Sequence, residues 1–152
     1  MDNVLSENRK AYFNYEIMDK FSAGMVLFGH EVKSIRTGKM SLVGSYVTLR
    51  NNEAYLTGAN IHPYQPKNIT EGYNPKRDRR LLLRKNEINE LIGKTEQKGL
   101  TLAPLKVYTV KGLIKLEFAI AKGKKKADKR ESIKKREADR EIRRAFKNSV
   151  IS

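Results

Sequence analysis

The last thirty residues most restrict what this chain can fold into, because they carry too little apolar surface to bury against one another. From Gly123 to Ser152 there are 12 Lys plus Arg against 5 Asp plus Glu, a net +7, and the only large apolar residues are Ile133, Ile142, Phe146, Val150 and Ile151. Such a segment does not offset its own ordering entropy. Ala138, Ile142, Ala145 and Phe146 nevertheless recur at helical spacing, and Glu131 to Lys135 and Asp139 to Arg143 are favourable i,i+4 pairs. Residues 123–152 are therefore expected to form a basic tail, disordered when free and helical against a partner that supplies the ordering free energy.

Residues 1–122 read as one folded body, and a chain of 152 residues leaves little room for a second core. Tyr12 to Leu27 is rich in β-branched and aromatic residues and predicts a strand bent at Gly24. Phe28, Val32 and Ile35 then predict a short helix to Arg36, stopped by Thr37-Gly38-Lys39. Ser41 to Arg50 and Glu53 to Ile61 predict a hairpin, since Asn51-Asn52 tolerates the positive φ of a tight turn. Pro63, Pro66, Gly72 and Pro75 predict a long irregular connection over 62–76. A helical pattern follows over Arg77 to Gln97, with Lys98-Gly99 as its stop, and strands Leu100 to Val110 and Leu113 to Ala121 flank Lys111-Gly112. The expected architecture is mostly β, an OB-fold-like barrel with two or three short helices and the basic C-terminal tail.

The chemistry points away from catalysis. With no cysteine there is no disulfide, thiolate nucleophile or cysteine-held zinc. His30 and His62 stand on different expected elements without carboxylates at metal-ligand spacing, and Glu31 reads as readily as a solvated helix residue as a general base. A small hydrolase using either histidine is the enzymatic alternative. No catalytic residue, metal or cofactor is expected. The polar N-terminus and the lack of an apolar run long enough to span a bilayer predict a cytoplasmic protein with no membrane attachment.

A formal net charge of +15 predicts a polyanionic partner. Asn8-Arg9-Lys10-Ala11-Tyr12, then Lys33, Arg36 and Lys39, then Lys76-Arg77 with Arg79-Arg80, offer cations for phosphates. Tyr12, Tyr46, Tyr64 or Tyr73 offer rings for unpaired bases. Leu81, Leu82 and Leu83 cannot all face inward on one helix, so one of them is expected at the surface beside Arg80 and Arg84, where it suits an unstacked RNA loop. A general single-strand-binding or ribosome-associated module of the same barrel class fits this composition too.

Seven stretches, in order from residue 8 to residue 130, carry a resemblance. They are Asn8-Arg9-Lys10-Ala11-Tyr12, Ala23-Gly24, Glu31 to Arg36 followed by Gly38-Lys39, Ser45-Tyr46-Val47, Gly58-Ala59-Asn60-Ile61, Arg80-Leu81-Leu82-Leu83, and Ala121-Lys122-Gly123-Lys124-Lys125 before Asp128-Lys129-Arg130. In these the chain resembles the SsrA-binding protein (SmpB) family, bacterial partners of transfer-messenger RNA. The resemblance implies a monomeric, non-catalytic protein of ribosome rescue whose OB-fold barrel grips the tRNA-like domain of that RNA. Its tail would enter the empty mRNA channel and decoding centre of a stalled ribosome and become helical there. Elongation factor Tu would be met through the RNA.

Carried over by position together with the reading of charge and rings, the RNA-binding set is Asn8, Arg9, Lys10, Tyr12, Lys33, Arg36, Lys39, Tyr46, Asn60, Arg80, Leu82, Arg84, Lys124 and Lys125. The ribosome-binding tail set is Asp128, Lys129, Arg130, Lys134, Lys135, Arg136, Arg140, Arg143 and Arg144. Three positions depart from the family pattern. Ser22 stands where many relatives have Glu, Arg84 where His or Asn is usual, and Ala127 where His or Tyr is frequent.

Overall fold

The computed structural model describes residues 3–64, 72–97, 99–124 and 126–151, with side chains in the last segment at 130 and 133–144. In chain order the described elements are β1 (Asn3–Glu7), α1 (Arg9–Asn14), β2 (Tyr15–Met25), α2 (Gly29–Arg36), β3 (Met40–Ser41), β4 (Tyr46–Arg50), β5 (Glu53–Thr57), β6 (Asn60–Ile61), β7 (Arg79–Leu82), α3 (Lys85–Thr95), β8 (Leu100–Val110), β9 (Leu113–Gly123) and α4 (Lys126–Ile151). Seven strands form one antiparallel sheet in the order β1-β8-β9-β2-β7-β5-β4, while β3 and β6 pair separately. β4, at one edge, returns against β8, so the sheet curls into a partly open barrel. The mostly β architecture expected from the sequence is the one found.

The curl has an identifiable source. β8 carries Pro104, which has no N–H for the ladder, and the β8–β9 register shifts between Pro104 and Lys106. Asn8 takes up the carbonyls this irregularity leaves. Its side-chain nitrogen donates to the Pro104 oxygen at 3.0 Å and its main-chain N–H to the Leu105 oxygen at 2.8 Å. α1 then lies on alanines, with Ala11 against Ala103, Ala119 and Ala121, where larger side chains would hold the helix away from the sheet. A second register shift between Ile17 and Lys20 bends β2 against β9.

Inward positions alternate with outward ones, as a half-buried sheet requires. Ala23, Met25, Val47, Ala54, Leu56, Leu81, Val107, Leu116, Phe118 and Ile120 enter the main core, joined by Ile35 from α2 and Leu91 from α3. The β4–β5 turn holds Asn51 and Asn52 at φ 51° and 61°, as the sequence required.

Several boundaries differ from expectation. Residues 9–14 form a short helix, so Tyr12 is helical and β2 begins at Tyr15. The strands expected over 41–50 and 53–61 are each interrupted, by Leu42 to Ser45 and by Gly58 and Ala59. The helix expected from Arg77 is divided into β7 and α3, because Leu81 and Leu82 alternate in the sheet, Leu81 opposite Ala54 and Met25 and Leu82 opposite Gly24. The polar stretch 3–7 adds an edge strand that its composition did not announce.

The other correction concerns charge. Arg77 and Arg79 are not free to meet phosphates, and Glu31 is not solvated: Glu31 and Arg79 are both 0% exposed. Arg79 donates from Nη2 to Glu31 Oε2 at 2.6 Å and from Nε to the same oxygen at 3.1 Å. Its remaining donors reach the carbonyls of Ala59 at 2.8 Å and Pro75 at 2.9 Å. Arg77 reaches Glu31 through Nη2 and through Nε, the latter at 3.2 Å. The Phe28 N–H donates to Glu31 Oε1 at 2.9 Å, and the Tyr73 hydroxyl lies 3.0 Å from Oε2. One carboxylate thereby joins α2, β7 and the segment from Tyr73 to Arg77. Burial favours the neutral acid, but hydrogen bonds from Arg77, Phe28 and Arg79 outweigh it and hold the Glu31 pKa at about 2.

Glu31→Gln should therefore cost about 3–5 kcal/mol, because it strands a buried guanidinium. Since the folded pKa lies below the ordinary value of 4.5, the carboxylate's contribution is present above pH 4.5 and fades as pH falls towards 2. Urea unfolding at pH 7 and pH 3 should show the native chain losing stability over that window and the Gln variant losing less.

Candidate RNA interface

The outward-facing residues of the sheet form one candidate surface. Thr57, Tyr55 and Glu53 of β5, Arg80 and Leu82 of β7, Gly24, Ser22 and Lys20 of β2, Lys115 and Glu117 of β9, and Tyr108 and Lys106 of β8 share one face by register. At its middle Leu82 stands opposite Gly24. Because Gly24 has no side chain, nothing covers Leu82 from that strand, and Leu82 is 55% exposed beside the fully enclosed Leu81.

Two adjoining depressions meet there. One, of about 440 Å³, is lined by Met25, Leu27, Val32, Arg36, Leu113 and Ile114. The other, of about 560 Å³, is lined by Ser22, Leu83, Arg84 and Glu87, and the two share Gly24, Leu82 and Lys115. The first part of the resulting groove is mainly apolar and the second mainly polar, with Arg36, Arg84 and Lys115 as cations and Glu87 as an anion. Arg36 is aimed across it, donating from Nη2 to the Gly112 carbonyl at 2.7 Å in the β8–β9 turn. Among the described residues Lys33, Arg84 and Lys115 make no ion pair.

Of the sequence-derived set Arg36, Leu82 and Arg84 line this groove, and the other described members lie outside its lining. Arg80 lies 3.1 Å from Glu53, and Arg50, 2.7 Å from Asp78, stacks on Tyr55 at 4.3 Å. Exposed pairs of this kind are worth about 0–1 kcal/mol, so they yield readily to a phosphate. Tyr46 is exposed at the start of β4. Lys39 is turned towards Tyr64, with its amine 3.0 Å from the carbonyl and 5.4 Å from the ring centre.

Arg9, Lys10 and Tyr12 are exposed on α1, whereas Asn8 is buried at the β8 irregularity. Asn60 pairs with Ser41, and its Oδ1 is a buried atom without a protein partner among the described residues. Lys124 donates to the Tyr12 carbonyl at 3.1 Å. Lys125 lies outside the described residues, as do the side chains of Asp128, Lys129 and Ala127. In α4 the side chains of Arg130, Lys134, Lys135, Arg136, Arg140, Arg143 and Arg144 are exposed, with the Arg136 guanidinium 5.5 Å from the Phe13 ring.

Of the positions where the sequence departs from the family pattern, Ser22 pairs with the Tyr108 hydroxyl and faces Glu117 across the ladder. That carboxylate is bridged by Lys20 at 3.5 Å and Lys106 at 3.4 Å. Arg84 opens α3, its N–H donating to Glu87 Oε1 at 3.0 Å.

Phe28 and His30, which the sequence did not assign to RNA binding, lie at the start of α2. His30 packs edge-on against Tyr73 at 4.6 Å, and His62 is exposed. Among the described residues no three His, Asp or Glu side chains cluster for a metal, and no helix is long and apolar enough to cross a membrane.

Leu81→Ala should cost about 2–5 kcal/mol of stability and Leu82→Ala within about 0.5 kcal/mol, because only the first creates a cavity. Thermal unfolding of the two variants side by side checks this assignment of inner and outer faces.

Comparison with known proteins identifies the family. The SmpB protein family model matches residues 5–148. An SsrA-binding protein of Thermosynechococcus vestitus is 50% identical over 144 residues, covering 95% of each chain. One of Acetivibrio thermocellus is 52% identical over 146 residues, covering 96% of this chain and 94% of the relative. A solved chain described as "tmRNA-SmpB: a journey to the center of the bacterial ribosome" matches with a TM-score of 0.66 and 43% identity, over 84% of this chain and 92% of that one. By fold, by length and by sequence, the chain belongs to the SmpB protein family.

Proposed function

We propose that this protein binds the tRNA-like domain of transfer-messenger RNA and delivers it to stalled ribosomes for trans-translation. The observation that carries this reading is the groove around Leu82, where an uncovered leucine lies among Arg36, Arg84 and Lys115. Apolar side chains beside cations suit unstacked bases whose phosphates run along the rim. The names of the relatives, SsrA-binding protein, and of the structural neighbour support the choice of RNA.

The second half of the proposal concerns the tail. Within α4 the side chains at 130 and 133–144 are exposed, so little packing supports that stretch and its helicity in the free chain depends mainly on local pairs. A second surface of negative charge would stabilise it, as the mRNA channel and decoding centre of an empty ribosome would. The protein then acts as a cytoplasmic monomer without a cofactor and meets elongation factor Tu through the RNA.

Three measurements bear on this. Gly24→Val fills the groove without a backbone penalty, since Gly24 is not at positive φ and a Cβ there meets Leu82 Cδ1 at an ordinary 3.5 Å. It should weaken binding to the tRNA-like domain while leaving the fold intact. Lys33→Ala should reduce the slope of log affinity against log salt by about one, as loss of one phosphate contact does. Truncation after Lys125, which keeps Lys124 and Lys125 of the RNA-binding set, should leave RNA binding largely unchanged and abolish rescue in a reconstituted translation assay. Equal affinity of the full chain for tRNA-like RNA, duplex and random single strand would instead favour a general RNA-binding module.

A further inference from the structure

Phe28 precedes α2 and is 51% exposed, an unusual position for a ring with so much apolar area to bury. It is nevertheless held firmly. The Arg77 guanidinium lies 4.0 Å from its ring centre. That guanidinium is itself tied to Glu31, to the Asp78 carbonyl at 3.2 Å and to the Val26 carbonyl at 3.4 Å. The Phe28 main chain is fixed by the same carboxylate, through its N–H at 2.9 Å, and by the Val32 N–H, which donates to its carbonyl at 3.1 Å. The His30 ring stands 5.7 Å away at an interplanar angle of 32°, and is in turn braced by Tyr73. Backbone and backing are therefore in place before any ligand arrives.

The surroundings select the ligand. Glu31 is shared by Arg77 and Arg79, so the network beneath the ring retains one positive charge, and Lys33 and Lys76 are exposed nearby in the chain. Leu27, immediately before Phe28, and Val32, one turn after it, both line the groove described above. Phe28 itself does not line the groove, so its exposed ring is a second apolar surface carried by the same stretch of chain. A ring backed by a guanidinium presents a flat apolar surface inside a positive field, which favours an aromatic π-system attached to an anion.

We propose that Phe28, backed by Arg77 and flanked by His30, is a stacking platform for one unpaired nucleobase of the bound RNA. This inference rests on the RNA-binding reading and adds a contact outside the residues assigned above. The ring gives stacking area without a phosphate contact, and the neighbouring lysines supply the backbone charge. Its contribution to affinity is therefore insensitive to salt, unlike that of Lys33.

The test is binding of tRNA-like RNA by the full-length protein across a salt series, comparing native chain, Phe28→Ala, Phe28→Trp and Lys33→Ala. Phe28→Ala should weaken binding at least about fivefold at every salt concentration with an unaltered slope, and Phe28→Trp should restore it. In Phe28→Trp the indole emission should also be quenched on adding RNA. Unchanged affinity in Phe28→Ala, or a tryptophan blind to RNA, overturns the platform while leaving the RNA-binding reading intact. A native chain that fails to bind the RNA overturns the RNA-binding reading itself. A change in slope for Phe28→Ala would assign the effect to displaced Arg77 charge and also overturn the platform.

Discussion

A single buried carboxylate, Glu31, holds together the parts of the molecule that the sheet alone does not connect. Two guanidiniums, a main-chain N–H and a tyrosine hydroxyl converge on it. Removing these charges from water is costly, and the arrangement persists because nearly every donor finds an acceptor: Arg79 alone reaches Glu31, Ala59 and Pro75. The network fixes α2 against β7 and the segment after residue 72. The placement of Lys33 and Arg36 on α2 relative to Leu82 on β7 follows from it. A hydrophobic contact could hold these elements together but would not specify the rotation of α2 so narrowly.

The groove is a consequence of an absence on one strand and an excess on another. Gly24 opposes Leu82, and the sheet face opens where a side chain would otherwise lie. The same face carries two groups of weak ion pairs, Arg50, Glu53, Asp78 and Arg80 on one side and Lys20, Glu117 and Lys106 on the other. Such pairs keep the cations oriented in the free protein at little energetic cost to their release. The face is therefore a prearranged surface of oriented charges rather than one deep pocket.

Much of this was legible from residues. The Asn51-Asn52 turn, the β8–β9 pair, the helix after Phe28 and an outward leucine near Arg80 all follow from local rules. The Leu81-Leu82-Leu83 run was misplaced on a helix, because short apolar runs carry no decisive period, and tertiary pairing with β2 and β5 decided for strand. Arg79 looked like one more surface cation in a basic stretch. Nothing local distinguishes it from Arg80, since its fate depends on a carboxylate 48 residues away. Asn8 was likewise read for its neighbours Arg9 and Lys10, while its amide belongs to a strand irregularity 96 residues on.

Composition and local patterning alone determined that this is a basic, mostly β chain whose C-terminal segment is strongly cationic. Periodicity and turn chemistry are properties of near neighbours, and net charge is a property of the whole. Tertiary structure alone decided which cations are spent inside and which remain outside, that Gly24 uncovers Leu82, and that Phe28 is backed by a guanidinium. Each of these is set by groups far apart in sequence, whose meeting depends on strand register and on where one buried charge finds its counterions.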